Sequence, residues 1–139
     1  MINYIKNNNE GISIFSSNEE KIVKGTVLGF IKKKCINNLF SYEGYVKACK
    51  KVLKISSLVP VVISKSEVYF PISRVKDYEN IFINYLAISS LSINKEQTII
   101  TFFDGQTIKI DILKGKIERI INNIESILKY KTFPESKCR

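Results

Sequence analysis

TIITFFDGQTIKIDILKGKIERIINNIESIL, running from Thr98 to Leu128, decides the fold. Two β-branched runs, 98–102 and 106–110, flank Phe103-Asp104-Gly105. Asp-Gly between such runs is the strongest short-range hairpin signal, because Gly takes positive φ without a steric cost and Asp bonds to backbone just downstream of it. Directly afterwards Leu113, Ile117, Ile120, Ile121, Ile124, Ile127 and Leu128 recur every three or four positions. That spacing predicts an amphipathic helix near 114–130, with an apolar stripe that packs mainly as core and in part is open to a dimer contact. Pro134 and the polar KTFPESKCR are expected to end it, leaving 132–139 as a polar tail. An antiparallel hairpin followed by a helix that must cover something apolar is the pattern of an α+β domain.

The rest of the chain fits that class. Residues 11–15 (GISIF) read as a short strand after an Asn-rich lead, and the alternation over 21–31 (KIVKGTVLGFI) predicts a twisted strand or hairpin. Two further strands are expected at 58–64 and 67–72, with Pro60 and Pro71 at edges or strand ends, then a loop over 73–80 and a buried strand over 81–89. Between them, Tyr45, Cys49, Val52 and Leu53 share one helical face, Lys47, Lys50, Lys51 and Lys54 share another, and Ser41 is placed to cap the start. A basic helix near 41–54 follows. With no internal repeat and no long linker, residues 1–131 are expected to form one domain, with a mostly antiparallel sheet.

Composition narrows the chemistry. The chain has 139 residues, 45% of them apolar, enough for a core without disulfides or metal. It contains no histidine, which removes His-dependent hydrolase mechanisms and His-ligated metals. Cys35, Cys49 and Cys138 form no CxxC pair, so Cys35 and Cys49 read as small apolar fillers and Cys138 as part of a loose tail. No phosphate loop, dinucleotide fingerprint or nucleophile elbow occurs. Asp77 and Glu79 lie in a polar loop, and Asp104 has a structural task in its turn. The expectation is a non-enzymatic chain without cofactor or metal. MINYIKNNNE has no apolar segment behind a basic start, and no run is long enough to span a membrane, so a cytoplasmic location is expected.

Charge is the remaining signal. KKKCINNLFSYEGYVKACKKVLK (Lys32–Lys54) holds seven lysines against Glu43 alone, most of the chain's formal +9. Such density marks either a solvated face or a surface for a polyanion. Local acids to pair with these lysines are missing, while Tyr42, Tyr45, Asn37 and Asn38 interleave with them as donors for phosphate or sugar oxygens. Lys32, Lys33, Lys34, Lys47, Lys50, Lys51 and Lys54 are therefore the candidate phosphate contacts. Arginine is scarce (Arg74, Arg119 and Arg139); Arg74, with Tyr42, is the candidate for contact nearer the bases. The competing reading is an interaction module whose basic face meets an acidic protein or a membrane surface.

At these residues the chain resembles the ComK family of competence transcription factors. The resemblance rests on Cys35 followed by Tyr42 and Gly44, then a lysine-bearing helix, Lys54-Ile55, Pro60-Val61-Val62 and Tyr69-Phe70-Pro71-Ile72-Ser73. A strand with Ile81 and Ile83 follows, then Thr101 to Ile108 before the terminal helix, so that roughly residues 31–130 match in order. It implies an activator of DNA-uptake genes that binds paired AT-rich boxes, largely through the minor groove, as a dimer or tetramer, and that is removed through an adaptor of a Clp protease. The chain departs from the family pattern at Leu39-Phe40-Ser41, where Gly-Ser-Ser is usual, and at Gly44-Tyr45-Val46, where Gly-Arg-Lys is usual. Loss of that Arg removes a preferred narrow-groove contact.

Overall fold

The Asp-Gly hairpin forms as β8 (Thr98–Phe102) and β9 (Thr107–Ile110), in register through Ile100 opposite Ile108 and Thr101 opposite Thr107. Gly105 supplies the positive φ (91°), and the Asp104 carboxylate accepts the Gln106 N–H at 2.9 Å. The computed structural model describes the backbone of residues 1–137 and the side chains of residues 1–131; Cys138 and Arg139 lie outside the described residues. Among the described residues there are nine strands and three α-helices in an α+β arrangement, with every strand pairing antiparallel.

β8 and β9 belong to a three-stranded sheet with β7 (Ile88–Ile93). The larger sheet has six strands in the order β3-β2-β1-β6-β5-β4. Its members are β1 (Ile2–Asn8), β2 (Gly11–Ser16), β3 (Glu19–Val23), β4 (Val61–Ser64), β5 (Glu67–Pro71) and β6 (Ile81–Asn84). Both of its faces are apolar. Tyr4, Val68, Phe70 and Ile83 point into one cluster, and their chain neighbours Ile5, Tyr69 and Phe82 into the other. Period-two alternation of two apolar sets means that neither face can be left to water. One is covered by α1 (Val27–Asn37) and α2 (Tyr42–Val52); the other meets the three-stranded sheet and α3 (Lys114–Lys137).

Four expectations are corrected. The segment 21–31 is neither a single strand nor a hairpin: β3 ends at Val23, and Thr26 caps α1 by accepting the Gly29 N–H at 3.0 Å. Val27, Ile31 and Cys35, four apart, form the buried stripe of that helix. The Asn-rich lead is β1, an interior strand paired with both β2 and β6. The run 81–89 is broken by a 3-10 turn at Tyr85–Ala87, where the Asn84 side chain accepts the Leu86 N–H, and the chain there passes from the large sheet to the small one. The backbone of α3 continues beyond 130 and past Pro134, and Leu113 stands exposed ahead of it while Ile112 is buried. The stripe Ile117, Ile120, Ile124 and Ile127 is buried as expected, each side chain contributing about 1.5–3 kcal/mol.

Glycine at position 11 is dictated by close approach: a Cβ there would stand 2.2 Å from the Val23 carbonyl oxygen of β3. Asn84 is fully buried and acts as a piece of backbone. Its Oδ1 accepts from the N–H groups of Val68 and Leu86, and its Nδ2 donates to the Ile2 carbonyl, so one side chain ties β5, the 3-10 turn and β1. Asn84→Ala leaves the buried Val68 N–H and the partly buried Leu86 N–H and Ile2 carbonyl without these partners, and an unmet buried group costs about 1–3 kcal/mol. A loss of at least about 2 kcal/mol in urea unfolding is expected; an unchanged midpoint would contradict the role. Asp104 sits below its ordinary pKa of 3.8, chiefly through the Gln106 N–H and next through the Asn3 side chain. A depressed carboxylate stabilises fully above its unfolded pKa and loses that contribution as pH falls through the folded value. The stability advantage of the native chain over Asp104→Asn should therefore shrink as pH falls through and below the ordinary value of 3.8 in urea titrations at each pH.

Candidate nucleic-acid interface

The lysine segment folds into the helix pair α1–α2 on one face of the large sheet. The turn between the helices is a Schellman motif. Phe40 donates its N–H to the Cys35 carbonyl at 3.1 Å, Leu39 donates to Ile36 at 3.0 Å, and Leu39 takes a left-handed φ of 70°. Glycine is the usual residue at that position, because a Cβ there costs roughly 1–2 kcal/mol. Phe40 turns inward, 5.4 Å from the Tyr45 ring, and Ser41 accepts the Gly44 N–H to start α2. Tyr45 reaches from α2 to the sheet edge, where its hydroxyl accepts the Val62 N–H of β4 at 3.0 Å. These contacts fix the direction of the basic face.

The candidate side chains meet different fates. Lys33, Lys47, Lys50, Lys51 and Lys54 are exposed, and none makes an ion pair within 4.0 Å among the described residues. Lys32 bonds Glu43 at 2.9 Å, linking α1 to α2, and this contact holds the Glu43 carboxyl below its usual range. Lys34 bonds Glu67 of β5 at 2.9 Å, with both side chains largely covered. These two lysines are answered by carboxylates, contrary to a face without local acids. Lys50 and Lys51 lie in the last turn of α2, where cations also suit the helix dipole. Lys54 follows the Leu53 cap at φ 59°, another left-handed position held by a residue other than glycine.

Tyr42 does not project outward as a base contact would. It is only 8% exposed and packs with Ile31 and Cys35, and burial pushes its hydroxyl up to about 12. Burial likewise pushes the Cys35 thiol up to about 11, so it is an inert filler at neutral pH. Tyr42 nevertheless forms part of the wall of a cleft of about 220 Å³, whose rim brings Lys50 and Arg74 together. Arg74 is exposed and only loosely held by Asp77 at 3.5 Å. Its loop is shaped by Asn80, whose Oδ1 accepts from the N–H groups of Ile72 and Ser73 and from the Ser73 hydroxyl.

A second basic groove, of about 550 Å³, lies between α1 and β3. Lys21 and Lys24 face Lys33 and Lys34 across it, with Asn37 and Asn38 at one end. Lys21 and Lys24 were not among the candidates, because the alternation over 21–31 reads as a twisted strand or hairpin with no helix following it. The only local signal was the Thr26 cap, which starts a helix just after them. Among the described residues no cluster of three or more acidic or cysteine side chains could hold a metal ion, and no helix is long and apolar enough to cross a membrane.

Comparison with protein families identifies one model, described as ComK protein, over residues 2–133. Searches of curated proteins and of solved structures gave no match. The family match is wider than the motifs from Cys35 to Ile108: it takes in β1 to β3 at the start and most of α3 at the end. With nearly the whole chain matched, the protein belongs to the ComK family, whose members are competence transcription factors.

Proposed function

We propose that this chain is an activator of competence genes that binds AT-rich double-stranded DNA through the α1–α2 face. The observation that carries the reading is the row of exposed lysines on α2 and its exit, Lys47, Lys50, Lys51 and Lys54, joined by Lys33 from α1. A fixed array of ammonium groups attracts phosphates and sets register without naming bases. Lys32 and Lys34 serve chiefly to tie α1 to α2 and to β5. Arg74, beside Lys50 and weakly paired, is the side chain best placed to leave Asp77 for a groove edge. Association into a dimer or tetramer would set two such faces on one duplex, and the same reading includes turnover through a Clp-protease adaptor and a cytoplasmic location. An acidic protein or an anionic membrane is the competing partner for the same charges.

Salt titration of duplex binding separates these cases. Affinity for an AT-rich duplex should fall steeply as salt rises, and Lys50→Ala with Lys51→Ala should flatten the logarithmic slope by about one unit per lost contact. Lys32→Ala should change the slope less than either, because Glu43 already holds that charge. Salt-insensitive binding, or binding to anionic vesicles and not to duplex, would reject the proposal.

A further inference from the structure

The tip between α1 and α2 carries a feature that phosphate binding does not use. Leu39 is 95% exposed, the most exposed of the large apolar side chains among the described residues, and it occupies the left-handed position where glycine is the default. Its backbone is held on both sides, by its own N–H to Ile36 and by that of Phe40 to Cys35, so the side chain projects from a fixed turn. Ile36, three residues earlier, is also exposed, whereas Phe40 turns inward onto Tyr45. Asn37 and Asn38, which immediately precede Leu39, line the groove that holds Lys21, Lys24, Lys33 and Lys34. One rigid apolar point beside a field of cations asks for a partner that is polyanionic outside and apolar within.

Duplex nucleic acid has that build, with phosphates outside and stacked base faces inside. A second copy of this chain, itself at +9, would bring lysines against lysines. A membrane surface calls for a broad apolar face rather than a single leucine. We propose that Leu39 is an apolar wedge that enters a base step of the bound duplex from the minor-groove side, while Lys33 and the neighbouring groove hold the flanking phosphates. Side chains of this kind unstack one step, and pyrimidine–purine steps such as TA yield most readily. The inference rests on the DNA-binding reading and adds the residue that deforms the duplex.

The test compares the native chain with Leu39→Gly, Leu39→Asn and Lys51→Ala on an AT-rich duplex carrying 2-aminopurine at successive steps. Native protein should raise 2-aminopurine emission at one step. Leu39→Gly, relieved of its strained Cβ, should melt at a higher temperature yet bind at least about tenfold more weakly, lose the emission rise and keep the native salt slope. Leu39→Asn, which tolerates the same backbone, should bind as Leu39→Gly does. Lys51→Ala should lower the slope and keep the rise. Native binding without any emission change, or Leu39→Gly binding as tightly as native, overturns the wedge while leaving the DNA-binding reading intact. Leu39-dependent binding to anionic vesicles with no duplex binding overturns both.

Discussion

The six-stranded sheet is apolar on both faces, and the rest of the structure answers that constraint. Tyr4 and Ile5, or Phe82 and Ile83, are adjacent in sequence yet serve opposite cores. A sheet of this kind needs cover on both sides, and the chain supplies two different covers. The three-stranded sheet and α3 close one face through Ile100, Phe102, Ile117, Ile120 and Ile124. The pair α1–α2 closes the other through Val27, Ile31, Cys35 and Tyr42. Once those residues face inward, helical geometry turns Lys33, Lys47, Lys50 and Lys51 outward, so the basic face follows from the core.

Within that face the charges are unequal. The Lys32–Glu43 pair, open to solvent, and the Lys34–Glu67 pair, largely covered, hold α1 against its neighbours. Their main effect is geometric: they fix the helix pair and leave the other lysines of the segment to solvent. The left-handed backbone at Leu39 and Lys54 has a related meaning. Each holds an exposed side chain at a position where glycine would be less strained, one apolar and one cationic, on either side of α2.

How much of this was legible in the sequence depended on how local each signal was. The Asp104-Gly105 hairpin, α2 with its Ser41 cap and the isoleucine stripe of α3 were readable because each is written within one element. The strand β1 was hidden because its Asn-rich composition suggests a loop, and its pairing with β6 is long-range. The helix α1 was hidden because Val27 to Phe30 fits either period, and only the burial of Cys35 with Val27 and Ile31 decides it. The break at Asn84 could not be seen, since its side chain replaces backbone bonds that exist only in the folded sheet. The lysines themselves were legible as candidates, but the carboxylates that claim Lys32 and Lys34, the burial of Tyr42 and the meeting of Lys50 with Arg74 are tertiary facts.

On the proposed function, duplex DNA lies on the α1–α2 face and not on the face closed by the small sheet. Lysine-reactivity footprinting by mass spectrometry, with and without an AT-rich duplex, tests it most directly. Lys33, Lys47, Lys50, Lys51 and Lys54 should become protected, while Lys95 and Lys109, exposed on the small-sheet side, should react as before. Protection of Lys95 and Lys109 with the α2 lysines still reactive would contradict it.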